Sequence, residues 1–432
     1  MEYTGNKVSN FRKGAEEMVR KATLNICIIA IVILFGCEEN KVENTSNGKE
    51  FGNKQDYTDI IDPNNTLAFS LLDKVEPDEN NNTFISPTSA LMALLMAFNG
   101  AEDDTKEEMA EALSIHGLSV DEVNEANASL LTMLQTDSEA IQLSIANSMW
   151  LNNQYHFTDE FTQKTNDYFQ AEVTEVDIED DSSVEKINQW VSDSTHGKIE
   201  EIIEAPIHPD VVTFLINALY FNGMWTNEFD EAHTEELPFY TPDGEKVVPL
   251  MMLEEELEYL ENDQFQAVKL PYGKGEMSMN VFLPQENVQL KEILEDLTLE
   301  DWERWQAEFK ETDGMLMLPK FEMEYEVILN NALHQLGIEQ AFDEQKAKFP
   351  NIIEEDDPLF IHEVKQKTFI EVNEEGTEAA AATSIEMRTT SATLDDTFYM
   401  QVNRPFLFTI TDEETDAILF IGTISSPEQK AE

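Results

Sequence analysis

Two runs in the last third of the chain, Lys367–Val372 and Phe406–Ile410, have the alternating or wholly apolar character of buried strands. Between them lie Asn373 to Pro405, about thirty residues where connections within a domain usually take about 4–6. A connection of that length is either functional or without structure. Its first half reads Glu374-Glu375-Gly376-Thr377-Glu378-Ala379-Ala380-Ala381-Ala382-Thr383-Ser384-Ile385. Gly376 permits backbone angles closed to other residues. The four alanines favour helix when exposed, yet are small enough to enter a gap between two strands. Composition alone favours a surface helix of Glu and Ala; the capacity to live in two environments makes the same segment a switch candidate.

The rest of the chain limits what could surround such a switch. From Tyr57 to Pro427 there is no long Pro/Gly/Ser linker and no repeat, which argues for one continuous domain. An opening helix is expected around Leu67–Val75. Ser89–Phe98 is nearly all apolar, as in a helix buried on most sides, and Thr105–Leu113 is amphipathic. Strands are expected at Ile141–Leu151, Val211–Phe221, Lys246–Met252, Met277–Leu283 and Ala417–Ile421, with helices at Val184–Ser194 and Val327–Leu336. Helices come early and strands late, so the class is α+β with large mixed sheets.

The 432 residues include 88 Asp+Glu against 27 Lys+Arg, a formal charge of −61. Nucleic acid is excluded as a main partner, because phosphate contacts would be repelled over most of the surface. Both cysteines lie within the first 37 residues, so what folds after them has no disulfide, Cys-rich metal site or thiol nucleophile. Ile26–Gly36 is apolar but far short of the roughly 20 residues that span a bilayer, and it follows Arg20 and Lys21 as the core of a signal peptide does. Leu34-Phe35-Gly36-Cys37 resembles the lipobox of bacterial lipoproteins, with Cys37 as the acylated residue. A start at Met18 would give a compact leader. Residues 1–36 are therefore expected to be a lipoprotein signal peptide, 37–56 a polar tether, and 57–432 the folded domain, held on the bacterial cell envelope.

Several stretches resemble one family in its own order. Phe369-Ile-Glu-Val-Asn-Glu-Glu-Gly-Thr-Glu-Ala-Ala-Ala-Ala-Thr383 resembles the reactive-loop hinge of inhibitory serpins. Asn82-Thr-Phe-Ile-Ser86-Pro87-Thr-Ser89 is similar to the serpin opening, and Asn217-Ala-Leu-Tyr-Phe-Asn-Gly223-Met-Trp225 to the central strand with its tryptophan. Ala146-Asn147-Ser-Met-Trp150, Leu318-Pro319-Lys320-Phe321 and Asn403-Arg404-Pro405-Phe406 continue the resemblance. It implies a fold of about three sheets and nine helices, monomeric, metastable and with an exposed reactive loop. It also implies a suicide-substrate inhibitor of serine endopeptidases, with cysteine endopeptidases as a further target class, not an enzyme that turns over. The hinge would be Glu374, Gly376, Thr377, Ala379–Ala382 and Thr383; Ser86, Ser89, Asn217 and Gln366 would act beneath the opening sheet, and Trp225 would pack where insertion begins. Where the family usually has His, this chain has Gln366, which can donate and accept but has no charge to switch.

Inhibitory relatives are cut about seventeen positions along from the first hinge Glu, which gives the bond Thr390–Ser391, with Thr389 and Arg388 as alternative scissile residues. Thr390 suits elastase-like or subtilisin-like targets, and Arg388 a trypsin-like one. The chain has no zinc-protease motif after His362-Glu363, no complete dinucleotide fingerprint at Gly273-Lys-Gly275, no nucleophile elbow and no P-loop, so neither metal nor cofactor is expected. The rival reading is a non-inhibitory serpin acting as a surface binding or structural protein; the small hinge residues count against it. Sequencing the C-terminal fragment released by a target protease should give a first residue of Ser391. A start at Thr389 or Thr390 would move the bond to Arg388 or Thr389.

Overall fold

Pro87–Phe98 has no charged side chain, and all of its residues are buried. Ser86 caps it, accepting the Ser89 N–H, and a proline begins its first turn. This helix lies wholly within the hydrophobic core. The computed structural model describes residues 57–428 apart from 136–137, 139, 209–210, 296 and 378–396. The expected signal peptide, the Met18 start, the tether and Cys37 lie outside the described residues.

Among the described residues the first half holds α1 (Ile61–Leu72), β1 (Thr83–Ile85), α2 (Pro87–Phe98), α3 (Asp103–Ala112), α4 (Val120–Leu134), β2 (Ile141–Asn152), α5 (Asp159–Phe169), β3 (Glu172–Val176), α6 (Asp181–Ser194) and β4 (Thr213–Met224). Next come β5 (Glu235–Thr241), β6 (Gly244–Glu261), β7 (Phe265–Tyr272), β8 (Met277–Pro284), α7 (Leu290–Glu295), α8 (Leu299–Glu308), β9 (Lys310–Pro319), β10 (Phe321–Ile328) and α9 (Asn330–Gln335). The chain closes with β11 (Glu363–Val372), β12 (Gly376–Thr377), β13 (Phe398–Gln401), β14 (Phe406–Asp412) and β15 (Ile418–Ile424). The α+β class and the nine helices agree with the expectation, and the Gly273–Gly275 segment is a turn between strands. One helix is shorter than expected: Val327 and Ile328 belong to β10, paired with Gln366 and Lys365 of β11. That ladder satisfies their backbone groups, and the helix starts only at Asn330.

The strands join into two hydrogen-bonded networks. One is nine-stranded, in the order β1-β15-β14-β8-β7-β6-β9-β13 with β5 beside β6. Two of the three expected sheets merge here, because the 18-residue β6 pairs β5 and β9 along its length and β7 at its end. The other is six-stranded, in the order β10-β11-β12-β4-β2-β3. Its centre is buried on both sides, as the near-continuous apolar run of β4 requires. Leu215, Leu219 and Phe221 face the main core, whereas Phe214, Ile216 and Ala218 join a second cluster with Ile187 and Val191 of α6. Both faces being occupied, strand register is strongly fixed.

Gly422 in β15 lies between Phe84 and Phe408 in the ladders, and a Cβ there would stand 2.4 Å from the Thr83 carbonyl oxygen. Gly422→Ala should therefore cost about 2 kcal/mol through overpacking, read as a lower guanidinium midpoint of the whole domain.

Candidate functional site

The long connection leaves the six-stranded sheet through a tight turn. Asn373 N–H donates to the Gly376 carbonyl at 2.9 Å, while its side-chain oxygen accepts from the N–H groups of Glu375 (3.1 Å) and Gly376 (3.2 Å). The turn sends β12 back between β11 and β4. Thr377 is paired with Val372 of β11 on one side and with Gly223 of β4 on the other, antiparallel to both. Gly376 faces Met224, where an added Cβ would lie 2.1 Å from the Gly223 carbonyl oxygen, so only glycine fits.

Aromatic packing and a buried ion pair hold this entry point. Trp225 and Phe229 donate their backbone N–H groups to the carbonyls of Glu375 and Glu374, and Trp225 Nε1 donates to the Asn373 carbonyl at 2.9 Å. The indole stacks on Tyr272 at 4.4 Å between centroids. The Tyr272 hydroxyl lies 2.6 Å from Thr377 Oγ1, and both side chains are fully buried. Burial pushes this phenol well above its ordinary pKa, so it remains a neutral hydroxyl. Glu374 is 5% exposed and meets Lys320 Nζ at 2.6 Å and Thr234 Oγ1 at 2.7 Å. Burial alone would raise its carboxyl, but the Lys320 ammonium and the Thr234 hydroxyl outweigh it and hold the carboxyl below the usual range. The nearby Glu228 is pushed the other way, by burial and then by Glu375.

Below the entry point β4 and β11 pair directly and run parallel, from Phe214 and Glu363 to Leu219 and Thr368. Under this seam lies a polar cluster. Asn147 Oδ1 accepts from Ser89 Oγ at 3.1 Å and from Asn217 Nδ2 at 2.6 Å. Gln366, opposite Asn217 in the register, spends both amide atoms on the Ser86 backbone: Nε2 donates to its carbonyl and Oε1 accepts from its N–H, each at 2.9 Å. Thr368 Oγ1 donates to the Phe84 carbonyl at 2.6 Å. The start of α2 is thus bonded to strands on both sides of the seam.

Ser86, Ser89, Asn217 and Gln366 therefore come together under the seam, and Trp225, Glu374, Gly376 and Thr377 at its upper end. Ala379, Ala380, Ala381, Ala382, Thr383, Arg388, Thr389, Thr390 and Ser391 lie outside the described residues. Sequence reasoning missed the roles of Asn147, Thr234, Tyr272 and Lys320, each of which meets the site from a strand or loop distant in sequence. The Leu318-Pro319-Lys320-Phe321 stretch was the one signal that pointed toward Lys320.

Comparison with known proteins agrees with this architecture. Residues 62–427 match the family model described as Serpin (serine protease inhibitor). A serpin-like protein of Methanosarcina acetivorans is 31% identical over 94% of this chain and 97% of its own length. Human Serpin B8 is 34% identical over 85% of this chain and 100% of its own. Among solved structures, the thermophilic serpin tengpin in its native state superposes with a TM-score of 0.78 at 33% identity, over 88% of this chain and 95% of that one.

The Glu374–Lys320 contact gives the docked hinge a pH signature. Because the folded carboxyl is depressed, its contribution is complete above the ordinary Glu value and is lost as pH falls through the lowered one. Lys320→Met should remove about 1–2 kcal/mol of hinge docking at neutral pH and flatten that acid limb. Proteolytic nicking near Glu374, measured against pH, reports both effects.

Proposed function

The chain belongs to the serpin family, and we propose that it inhibits endopeptidases as a suicide substrate. The observation that supports this most is β12: two residues of the hinge already form a strand between β11 and β4, antiparallel to each, ahead of four alanines able to follow. In this reading a serine or cysteine protease attacks the bond after Thr390, and its nucleophile becomes acylated by the loop. The freed N-terminal half then enters the sheet behind Gly376 and Thr377, carrying the protease before water can deacylate it. The inhibitor is consumed, so the process is a single event without turnover. A threonine at the cut favours elastase-like or subtilisin-like targets; cutting at Arg388 would indicate a trypsin-like one. Cys37 carries the lipid that holds the inhibitor on the bacterial envelope, where the acidic domain meets its proteases.

Residues 38–432 mixed with elastase-, subtilisin-, trypsin- and papain-like proteases should yield a complex that survives SDS. Thr377→Arg should abolish that complex while leaving the loop cleavable, since a guanidinium cannot take the place of a fully buried threonine hydroxyl. Clean cleavage of the unaltered chain by the entire panel, with no complex and no gain in stability, would overturn the proposal in favour of a non-inhibitory surface protein.

A further inference from the structure

A cavity of about 790 Å³ opens beside α7, and none of its walls comes from β4, β11 or β12. It is separate from the seam and its hinge. Leu72 and Val75 line it at and just past the end of α1, Pro284 at the end of β8, and Val288, Leu290 and Leu294 in α7 and the turn before it. Leu290 and Leu294 are one helical turn apart and so share a face. The volume falls within the range of about 300–1,000 Å³ typical of small-molecule sites, which join apolar walls to a few placed polar groups.

Four charged side chains line this cavity, and three of them are already spent. Lys291 pairs with Glu295 at 3.2 Å, and Asp73 with Lys74 at 3.0 Å. Arg404 is the exception. Its Nε donates to the Pro284 carbonyl at 2.8 Å and its Nη1 to Asn403 Oδ1 at 3.0 Å, which leaves Nη2 without a partner among the described residues. No described carboxylate forms an ion pair with it, in a chain that has 88 Asp+Glu. Burial holds the half-buried guanidinium below its ordinary pKa, and Glu286 offsets this only in part, without touching it. A charge withdrawn from water and left unpaired is unfavourable, and a carboxylate is the group whose planar fork a guanidinium fits.

We propose that this cavity binds a carboxylate carried on an alkyl chain, with the head group on Arg404 and the chain along Leu72, Val75, Val288, Leu290 and Leu294. Such an anion answers both features at once: it pairs the free edge of the guanidinium and covers the apolar walls. The charge of the whole chain selects among head groups. At −61 overall, a singly charged carboxylate is repelled less than a doubly charged phosphate monoester. The inference is independent of loop insertion, since the cavity shares no residue with the seam.

The test measures binding to the full chain by isothermal titration, with dodecanoate kept below the concentration at which it self-associates. The unaltered chain should bind dodecanoate more tightly than dodecanol or acetate, each of which carries only one half of the ligand. Arg404→Gln should weaken dodecanoate about tenfold, as the loss of a charged hydrogen-bonding partner predicts, and leave dodecanol unchanged. Leu294→Glu keeps Arg404 and its Pro284 contact in place, and should weaken dodecanoate and dodecanol alike. Failure of the unaltered chain to bind dodecanoate, or binding that Leu294→Glu leaves unaltered, would overturn the site. An affinity indifferent to Arg404→Gln would overturn the head-group assignment, as would tighter binding of dodecyl phosphate. Acetate bound as tightly as dodecanoate would overturn the role of the apolar walls.

Discussion

The direct parallel pairing of β4 with β11 is the interaction on which the other features depend. Parallel ladders are slightly weaker per residue than antiparallel ones. A strand running opposite to both partners replaces one parallel ladder with two antiparallel ladders, and β12 is the first part of such a strand. The entry point and the polar cluster below it act on the two ends of the same seam. Trp225, Tyr272 and the Glu374–Lys320 pair secure the upper end, and the start of α2 holds the lower part through Ser86 and Ser89.

Charge is distributed with the same emphasis. With 27 basic side chains against 88 acidic ones, most carboxylates have no cation to meet. Two lysines are nevertheless placed on β11 itself, Lys365 against Glu326 at 2.6 Å and Lys367 against Glu324 at 2.7 Å, linking it to β10. Lys367 also donates to the Glu201 carbonyl in the segment after α6. These contacts bind β11 to its outer neighbour and leave its inner edge, toward β4, to main-chain pairing. Side-chain ion pairs thus tie β11 to β10, whereas the β4–β11 seam is joined by its main-chain ladder.

The fold class was legible because the elements that define it carry their periodicity openly. The apolar run of α2, the two-sided apolar pattern of β4 and the alternation of β11 each announce their surroundings. The helix expected from Val327 failed because Val327 and Ile328 answer to β11, a partner well beyond any local window. The site was legible where the hinge sequence itself carries the chemistry, as at Gly376 and Thr377. It was not legible at Tyr272 and Thr234, which are unremarkable residues on their own strand or loop, and Asn147 was marked only as part of the Ala146–Trp150 stretch, with no role attached. Their importance comes from the chain crossing that sets a hydroxyl or amide against a group more than fifty positions away. The position of Gln366 could be read from sequence, but not that both its amide atoms bind one backbone unit and leave Asn217 with an open acceptor.

The close approach of Gly376 to Gly223 also fixes the register of β12. A strand that slid by one residue would turn its inward side chains outward. A strand that slid by two would keep its faces correct and escape that penalty. It would, however, bring Glu374 or Glu378 to the place where the Gly223 oxygen leaves no room even for a single carbon. The glycine is thus a key cut for one notch, and it holds β12 to a single register.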